Sequence, residues 1–267
     1  MAGLSDLADD ERSARMVLSI VVEPNEPVTG RILTQLGAME TLWLAEHDGA
    51  VVGLSTVDAQ VWRDHLAAPA AKDIAARLDQ IQQSGVRALI PGDADWPAAL
   101  DDLGEVAPYV LWARGASSFF ARPLQDFVTI TGSRASTSYG DHVARELAAS
   151  TAADERVVVA GGAYGIEGAA HQAALAAGGD TIAILANGVD RPYPAGHRDL
   201  LERVADVGLL LSEVPPGAVP TRHRFIARGR LMAALASTTV IVEAAGRSGS
   251  LAVAQHAFEL GRSVGAV

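Results

Sequence analysis

Six apolar runs in the second half of the chain constrain the fold more than any other feature. They lie between residues 127 and 267 and read FVTITG, VVVAGG, TIAILANG, GLLLSE, TTVIVEAAG and SVGAV. Their hydrophobic residues are continuous rather than alternating, which predicts strands buried on both faces of a sheet. Most of the runs lead into a Gly-rich or polar turn and then into a helical stretch. This order predicts an α/β fold with a doubly wound, mostly parallel sheet.

The first part of the chain has a helical pattern instead. Residues 8–66 place apolar side chains at helical spacing, and AKDIAARLDQIQQSG predicts another helix that closes at Gly85. VRALIPGD and YVLWARG predict two further strands before the main sheet, with a short helix in DWPAALDDL.

Two domains follow from this change of pattern. We expect a small helical domain over residues 1–70 and a larger α/β domain over residues 71–267. The last apolar run stops soon after a strand begins, so we expect the C-terminal end of the larger domain to be truncated.

Composition excludes several classes of protein. The chain has no cysteine, so disulfides, thiolate catalysis and cysteine-based metal sites are excluded. No apolar run approaches the ~18 residues of a membrane span, and the acidic start does not resemble a signal peptide. We expect a cytoplasmic protein. No paired carboxylates, nucleophile elbow or metal cluster stands out, so we expect no catalytic residue, metal or cofactor.

The net charge of −11 argues at first against a nucleic-acid partner. However, residues 1–120 carry 18 acidic and 8 basic residues, whereas residues 121–267 carry 14 acidic and 13 basic residues. Within residues 221–247 there are five arginines and a single glutamate. Local charge decides what docks, so the second half remains compatible with an anionic partner.

Two turns after predicted strands have the composition of anion sites. In TGSRASTSYG, Gly132 permits close approach of a ligand, Ser133 and its neighbours offer hydroxyls and free amides, and Arg134 matches a phosphate. An ordinary helix cap with a solvated arginine explains this stretch equally well. A second turn, in VIVEAAGRSGSLAVAQHA, has the same combination of glycine, serine and arginine after a predicted strand. Its candidate residues are Ser248, Gly249 and Ser250.

A third turn is rich in glycine. Gly161, Gly162 and Gly165 fall between a strand and a helix in VVVAGGAYGIEGAAH, close to a dinucleotide fingerprint that they do not match. His171 follows inside the helix, and we expect it to be packed and hydrogen-bonded rather than catalytic. We expect a structural role for His197 as well.

The segment PTRHRFIARGRLMAALA combines arginines with an aromatic ring. Phe225 lies between basic residues. This combination is typical of proteins that bind single-stranded nucleic acid, in which bases stack on aromatic rings and arginines contact phosphates. The alternative is an amphipathic helix with solvated charges. The basic candidates are Arg222, Arg228 and Arg230.

Taken together, these turns resemble the DNA-processing protein A family, DprA (also called Smf). The matching stretches follow the family's order over residues 86–267. They are TGSRASTSYG, AGGAYGIEGAAHQAAL, TIAILANGVDRPYPAGHRDLL, LLLSEVPPGAVP, FIARGRLMAAL and VIVEAAGRSGSLAVAQHAFELGR.

The resemblance implies an extended Rossmann-like fold with a small N-terminal helical (SAM-like) domain. It implies a dimeric cytoplasmic protein that binds single-stranded DNA, protects incoming strands during natural transformation and loads the RecA recombinase. The family's GSR motif falls on Gly132, Ser133 and Arg134. Its DNA-pocket basic residue falls on Arg222, and its pocket phenylalanine falls on Phe225.

Several residues depart from the family pattern. The family's F-P-x-R-N-R segment appears as FIARGR, with Ile226 in place of proline and Gly229 in place of asparagine. Tyr164 stands where an arginine is usual, and Glu167 stands where an aspartate is usual. The alternative hypothesis is a Rossmann-like enzyme that binds or hydrolyses nucleoside monophosphates, with Glu243 or Glu167 as the general base.

Overall fold

The structure, a computed structural model, describes residues 3–66 and 71–267. Helices dominate the first part of these residues, as predicted. They are α1 (Glu11–Val21), α2 (Pro27–Leu36), α3 (Ala38–Glu46), α4 (Thr56–His65) and α5 (Ala71–Gln83). The first of them begins at a capping box, in which the Asp10 carboxylate accepts from the Ser13 backbone and the Ser13 hydroxyl satisfies the Asp10 amide.

A single eight-stranded sheet follows within the described residues. The predicted strands are confirmed as β1 (Arg87–Leu89), β2 (Leu111–Gly115), β3 (Phe127–Thr131), β4 (Val157–Gly161), β5 (Thr181–Leu185), β6 (Leu209–Ser212), β7 (Thr238–Ile241) and β8 (Ser263–Ala266). The strand order is β1-β2-β6-β5-β4-β3-β7-β8. Pairing from β6 through to β8 is parallel, whereas β2 is antiparallel to both of its neighbours.

Helices cover both faces of this sheet, which confirms the doubly wound fold. One face carries α6 (Ser138–Ala153), α7 (Ile166–Ala176) and α8 (Arg198–Val207). The opposite face carries α9 (Arg222–Ala234) and α10 (Gly249–Glu259). Every residue of β3, β4 and β5 is buried, as the unbroken apolar runs predicted.

The helical part packs directly against the sheet. Ile74 of α5 belongs to the core of the N-terminal helices, while Ile81 of the same helix belongs to a core of the sheet. Tyr109, just before β2, is buried among the N-terminal helices. The predicted domain boundary at residue 70 falls on residues 67–70, outside the described residues, and stays a prediction. None of the described helices is both long and apolar enough to span a bilayer.

Candidate functional site

The strand order creates a crevice at the carboxyl ends of the central strands. From β3 the chain continues to β4, β5 and β6 on one side, and it then crosses to β7 and β8 on the other. Open α/β sheets bind ligands at such a switch point, because the connections lead away in opposite directions. A cleft of about 740 Å³ opens there. Its charged lining residues are Arg134, Glu167, Arg222, Arg228 and Arg247.

The loop after β3 packs tightly between the loops after β4 and β7. The Ser133 amide donates to the Glu243 carbonyl oxygen at 2.6 Å. A Cβ atom at Gly132 would lie 2.7 Å from that same oxygen, so glycine is needed for this approach. On the other side, Gly165 has a φ of +73°, and a Cβ there would lie 2.3 Å from the Ser133 carbonyl oxygen. These contacts fix the loop that places Arg134 in the lining of the cleft.

Arg134 meets the aromatic ring of α9. Its guanidinium carbon lies 4.6 Å from the centre of the Phe225 ring, and that of Arg228 lies 5.5 Å from it. Both distances are within the range of cation–π attraction. Helix α9 starts here because Thr221 caps it, accepting from the Arg224 amide at 3.2 Å. The first turn of α9 therefore presents a half-buried ring with two arginine side chains close to it.

Arg228 lies deeper in the cleft and pairs with Glu167. Its Nη2 atom is 3.4 Å from both carboxylate oxygens, and only 9% of Arg228 and 4% of Glu167 is exposed. The carboxylate also accepts from the Thr131 hydroxyl at 2.9 Å and the Ala163 amide at 3.0 Å. Burial raises the pKa of Glu167, but Arg228 and these two donors outweigh it and hold that pKa below its usual value. Among the described residues, nothing accepts from the Arg228 Nε–H.

Gly161 leaves the room that this ion pair needs. A Cβ at Gly161 would lie 2.4 Å from the Glu167 carboxylate and 2.5 Å from the Arg228 guanidinium carbon. The Gly161 carbonyl accepts from Nε2 of His171 at 3.1 Å, while Nδ1 of the same ring lies 2.8 Å from the Thr181 hydroxyl. Burial lowers the pKa of His171 to about 4, so the ring is neutral near pH 7. The structural role predicted for His171 is confirmed.

The glycines at the end of β4 and in the loop after it make close packing possible, and none of them lines the cleft. A Cβ at Gly162 would lie 3.1 Å from the Tyr193 carbonyl oxygen, in the loop after β5. The Gly162 carbonyl lies 3.1 Å from Nδ1 of His197, which confirms the structural role predicted for this histidine. Gly161, Gly162 and Gly165 were all predicted as site residues. The structure places them behind the cleft, where they let the neighbouring loops come close.

The start of α10 forms the opposite wall of the cleft. Ser248 is the cap of this helix, and its hydroxyl oxygen accepts from the Ser250 amide at 3.3 Å. The structure brings Ser248, Gly249 and Ser250 into the same cleft as Arg134 and Phe225, as the sequence predicted. Helix N-termini of this kind favour anions, because their first amides lack partners within the helix.

Arg230 is a predicted site residue that the structure does not bring to the cleft. Only 2% of it is exposed, and its two terminal nitrogens lie 2.6 and 2.8 Å from the Glu213 carboxylate oxygens. Its Nε donates to the Val106 carbonyl at 2.8 Å, and Nη1 donates to the Ala227 carbonyl. We therefore correct the prediction for Arg230: this arginine joins α9 to β6 and to the segment before β2, and a ligand in the cleft cannot reach it.

The two carboxylates considered as general bases both hold loops in place. One oxygen of Glu243 accepts from the amide and the hydroxyl of Thr137, at 3.0 and 3.1 Å. Glu167 is occupied by Arg228, as described above. In the part of the chain that the structure describes, no three His, Asp or Glu side chains gather as they would around a metal ion.

Sequence reasoning missed two tyrosines beside Phe225. The Tyr193 ring lies 6.1 Å from the Phe225 ring, centre to centre, and Tyr164 borders the same space. Both tyrosines are 47% exposed. One feature of the sequence could have identified them. Both are aromatic residues in Gly- and Pro-rich turns after buried strands, where packing does not require an aromatic side chain.

Comparison with known proteins decides the family. Residues 87–267 match the family model described as DNA recombination-mediator protein A. The chain belongs to this family. The family resemblance predicted from the sequence is therefore confirmed.

Individual proteins that are similar to this chain agree with the assignment to the DNA recombination-mediator protein A family. A Mycobacterium tuberculosis protein that carries the name DprA is 47% identical over 200 residues, which are 71% of this chain and 51% of the relative. The DNA processing protein DprA of Bacillus subtilis is 31% identical over 221 residues, covering 80% of this chain and 73% of the relative. The chain thus spans about half the length of its Mycobacterium relative.

Two solved structures of the family share the fold. DNA processing protein A from Streptococcus pneumoniae superposes with a TM-score of 0.69 at 26% identity, over 99% of this chain and 86% of the other. DNA processing protein A from Helicobacter pylori gives a TM-score of 0.61 at 30% identity, over 68% of this chain and 81% of the other. The second structure is described as giving insights into a unique single-stranded DNA binding mode.

Proposed function

We propose that this chain binds single-stranded DNA in the cleft at the carboxyl edge of the sheet, without chemical turnover. The observation that carries the proposal is the contact of Arg134 with Phe225. It puts an exposed positive charge beside an aromatic face, and single-strand binding combines phosphate contacts with base stacking in this way. The single-stranded DNA named for the Helicobacter pylori relative supports the same ligand.

The charges of the cleft suit a phosphate backbone although the whole chain is acidic. Arg134, Arg222 and Arg247 are exposed at its rim, and the largely buried Arg228 also lines it. The serines at the start of α10 add hydroxyls on the facing wall. In this proposal Arg134, Arg222 and Arg228 contact phosphates, and Phe225 contacts a base.

The wider role belongs to the proposal as well. We propose that the chain acts in the cytoplasm on incoming strands during natural transformation, protecting them and passing them to RecA. Two copies in a homodimer would place two clefts on one strand and raise the effective affinity. A RecA-nucleation assay on protected strands and light scattering of the purified chain test these two parts separately.

Binding at two salt concentrations tests the central proposal. Fluorescence anisotropy should show tight binding of labelled oligothymidylate and much weaker binding of a duplex of equal length. The affinity should fall steeply with salt, because each phosphate contact releases counterions. Equal binding of both DNAs would contradict the proposal. Release of free base from nucleoside monophosphates by the same preparation would favour the enzyme hypothesis instead.

A further inference from the structure

A small niche adjoins the cleft and shares Phe225 with it. Its volume is about 60 Å³, and it is bordered by the loops after β4 and β5. Arg134, Phe225 and Arg228 line both the niche and the cleft. Ala163 is the fourth lining residue that they share, so a strand bound in the cleft needs to pass only these four residues to reach the niche.

Two exposed tyrosines form the outer border of the niche. We call Tyr164 and Tyr193 the aromatic ledge. Each is 47% exposed. The Tyr164 hydroxyl oxygen accepts from the Gly196 amide at 3.2 Å, and its ring meets His197 edge-on at 4.6 Å. These two contacts hold the Tyr164 ring in place, and both tyrosines present apolar ring surface to solvent.

Tyr193, the second residue of the aromatic ledge, extends the aromatic surface that Phe225 provides in the cleft. The Tyr193 ring lies 6.1 Å from the Phe225 ring and is tilted by 56°. Phe225 and Tyr193 therefore offer neighbouring but differently oriented faces, which suits successive bases of an unpaired strand rather than a flat, continuous stack. No residue that lines the niche is acidic, so the backbone of the strand meets no negative charge there.

From these contacts we infer that the aromatic ledge is a second base-stacking position, which receives the bases that follow the one at Phe225. This inference rests on the proposed binding of single-stranded DNA. Stacking on a preplaced ring needs little additional ordering of the protein, so each ring should contribute measurably to affinity. Arg134 lies where the two positions meet and would hold the phosphates between them.

An abasic scan tests the inference. Wild-type protein is titrated with oligothymidylates of about 20 nucleotides, each carrying one abasic site at a different position. Tyr193→Ala and Tyr164→Ala are compared with Tyr193→Phe, which keeps the ring. The matched control is Tyr139→Ala, because Tyr139 is 67% exposed and lines neither the cleft nor the niche. Thermal unfolding of every variant verifies that it is folded.

We expect Tyr193→Ala to weaken binding of intact oligothymidylate by about tenfold, within the range of one lost stacking contact. Tyr193→Phe and Tyr139→Ala should bind as the wild type does. At one position of the oligothymidylate, an abasic site should weaken binding by the wild type. The same abasic site should not weaken binding by Tyr193→Ala any further, because the lost base and the lost ring belong to one contact. Wild-type affinity in folded Tyr193→Ala, or an equal abasic penalty in both proteins, would overturn the inference. A wild type that does not bind the intact strand would overturn the proposed function itself.

Discussion

The Arg134 guanidinium lies 4.6 Å from the centre of the Phe225 ring, although the two residues follow different strands of the sheet. Arg134 comes after β3, and Phe225 stands on the helix that comes after β6. Their contact joins two motifs that are ambiguous when taken separately. An arginine on a loop is usually solvated, and a phenylalanine in a helix usually packs in a core. Together they form one charged and aromatic surface at the opening of a cleft.

Arg230 should matter for stability rather than for DNA contact. Arg230→Ala leaves Glu213 buried without its partner, and breaking such a pair costs about 3–5 kcal/mol of unfolding free energy. Urea unfolding measures this loss. The matched control is Arg222→Ala, which removes an exposed arginine of the same helix and should cost less than about 1 kcal/mol. Near-wild-type stability in Arg230→Ala would refute the structural role of this arginine.

His171 should make the stability of the protein depend on pH. Burial lowers the pKa of His171 to about 4, whereas the unfolded chain takes up the proton near pH 6.5. The unfolded state therefore binds more protons between these values, and stability is lost as the pH falls through this window. The expected loss from pH 7 to pH 5 is about 2 kcal/mol.

Urea unfolding of wild type and His171→Gln at pH 7 and pH 5 measures this dependence. Glutamine cannot take up a proton, so the variant should lose much less stability between the two values. An identical loss in both proteins would show that other groups cause the pH dependence.

We expect a substitution at Gly229 to raise the affinity of the chain for single-stranded DNA. A Cβ at Gly229 would meet only the Val253 side chain, at an ordinary distance of 3.4 Å, and the residue lines the cleft. Gly229→Ala should stabilise α9 by up to about 1 kcal/mol, because glycine is unfavourable inside a helix. Gly229→Asn adds an amide to the cleft and should bind single-stranded DNA about threefold to tenfold more tightly than Gly229→Ala, the gain of one hydrogen bond. Anisotropy titrations compare the two variants, and equal affinities would show that the amide does not reach the DNA.

The sequence predicted the strands of the sheet well, because each unbroken apolar run requires burial on both faces. It could not predict their order, since the pairing of β2 with β6 depends on residues far apart in the chain. The same limit applies to Arg230. Its neighbours in sequence resemble those of Arg228, and only the distant Glu213 decides that its charge is buried.

The turns that form the cleft were also predictable, because glycine, serine and arginine after a buried strand have a specific chemistry. The aromatic ledge was not predicted, because Tyr164 and Tyr193 follow different strands and border the same niche only once β4 and β5 are paired. The domain boundary at residue 70 stays a prediction. Helix α5 contributes Ile74 to one core and Ile81 to another, so packing does not separate the two parts at this helix.

The salt dependence of binding by Arg134→Ala tests the central claim most directly. The matched control is Arg145→Ala, which removes an exposed arginine of α6 that does not line the cleft. Each protein is titrated with labelled oligothymidylate over a series of salt concentrations. We expect Arg134→Ala to bind more weakly at low salt, with a slope of log affinity against log salt reduced by about 0.7, the value for one lost phosphate contact on a single strand. Arg145→Ala should match the wild type. Wild-type affinity and slope in Arg134→Ala would contradict the assignment of this cleft to DNA.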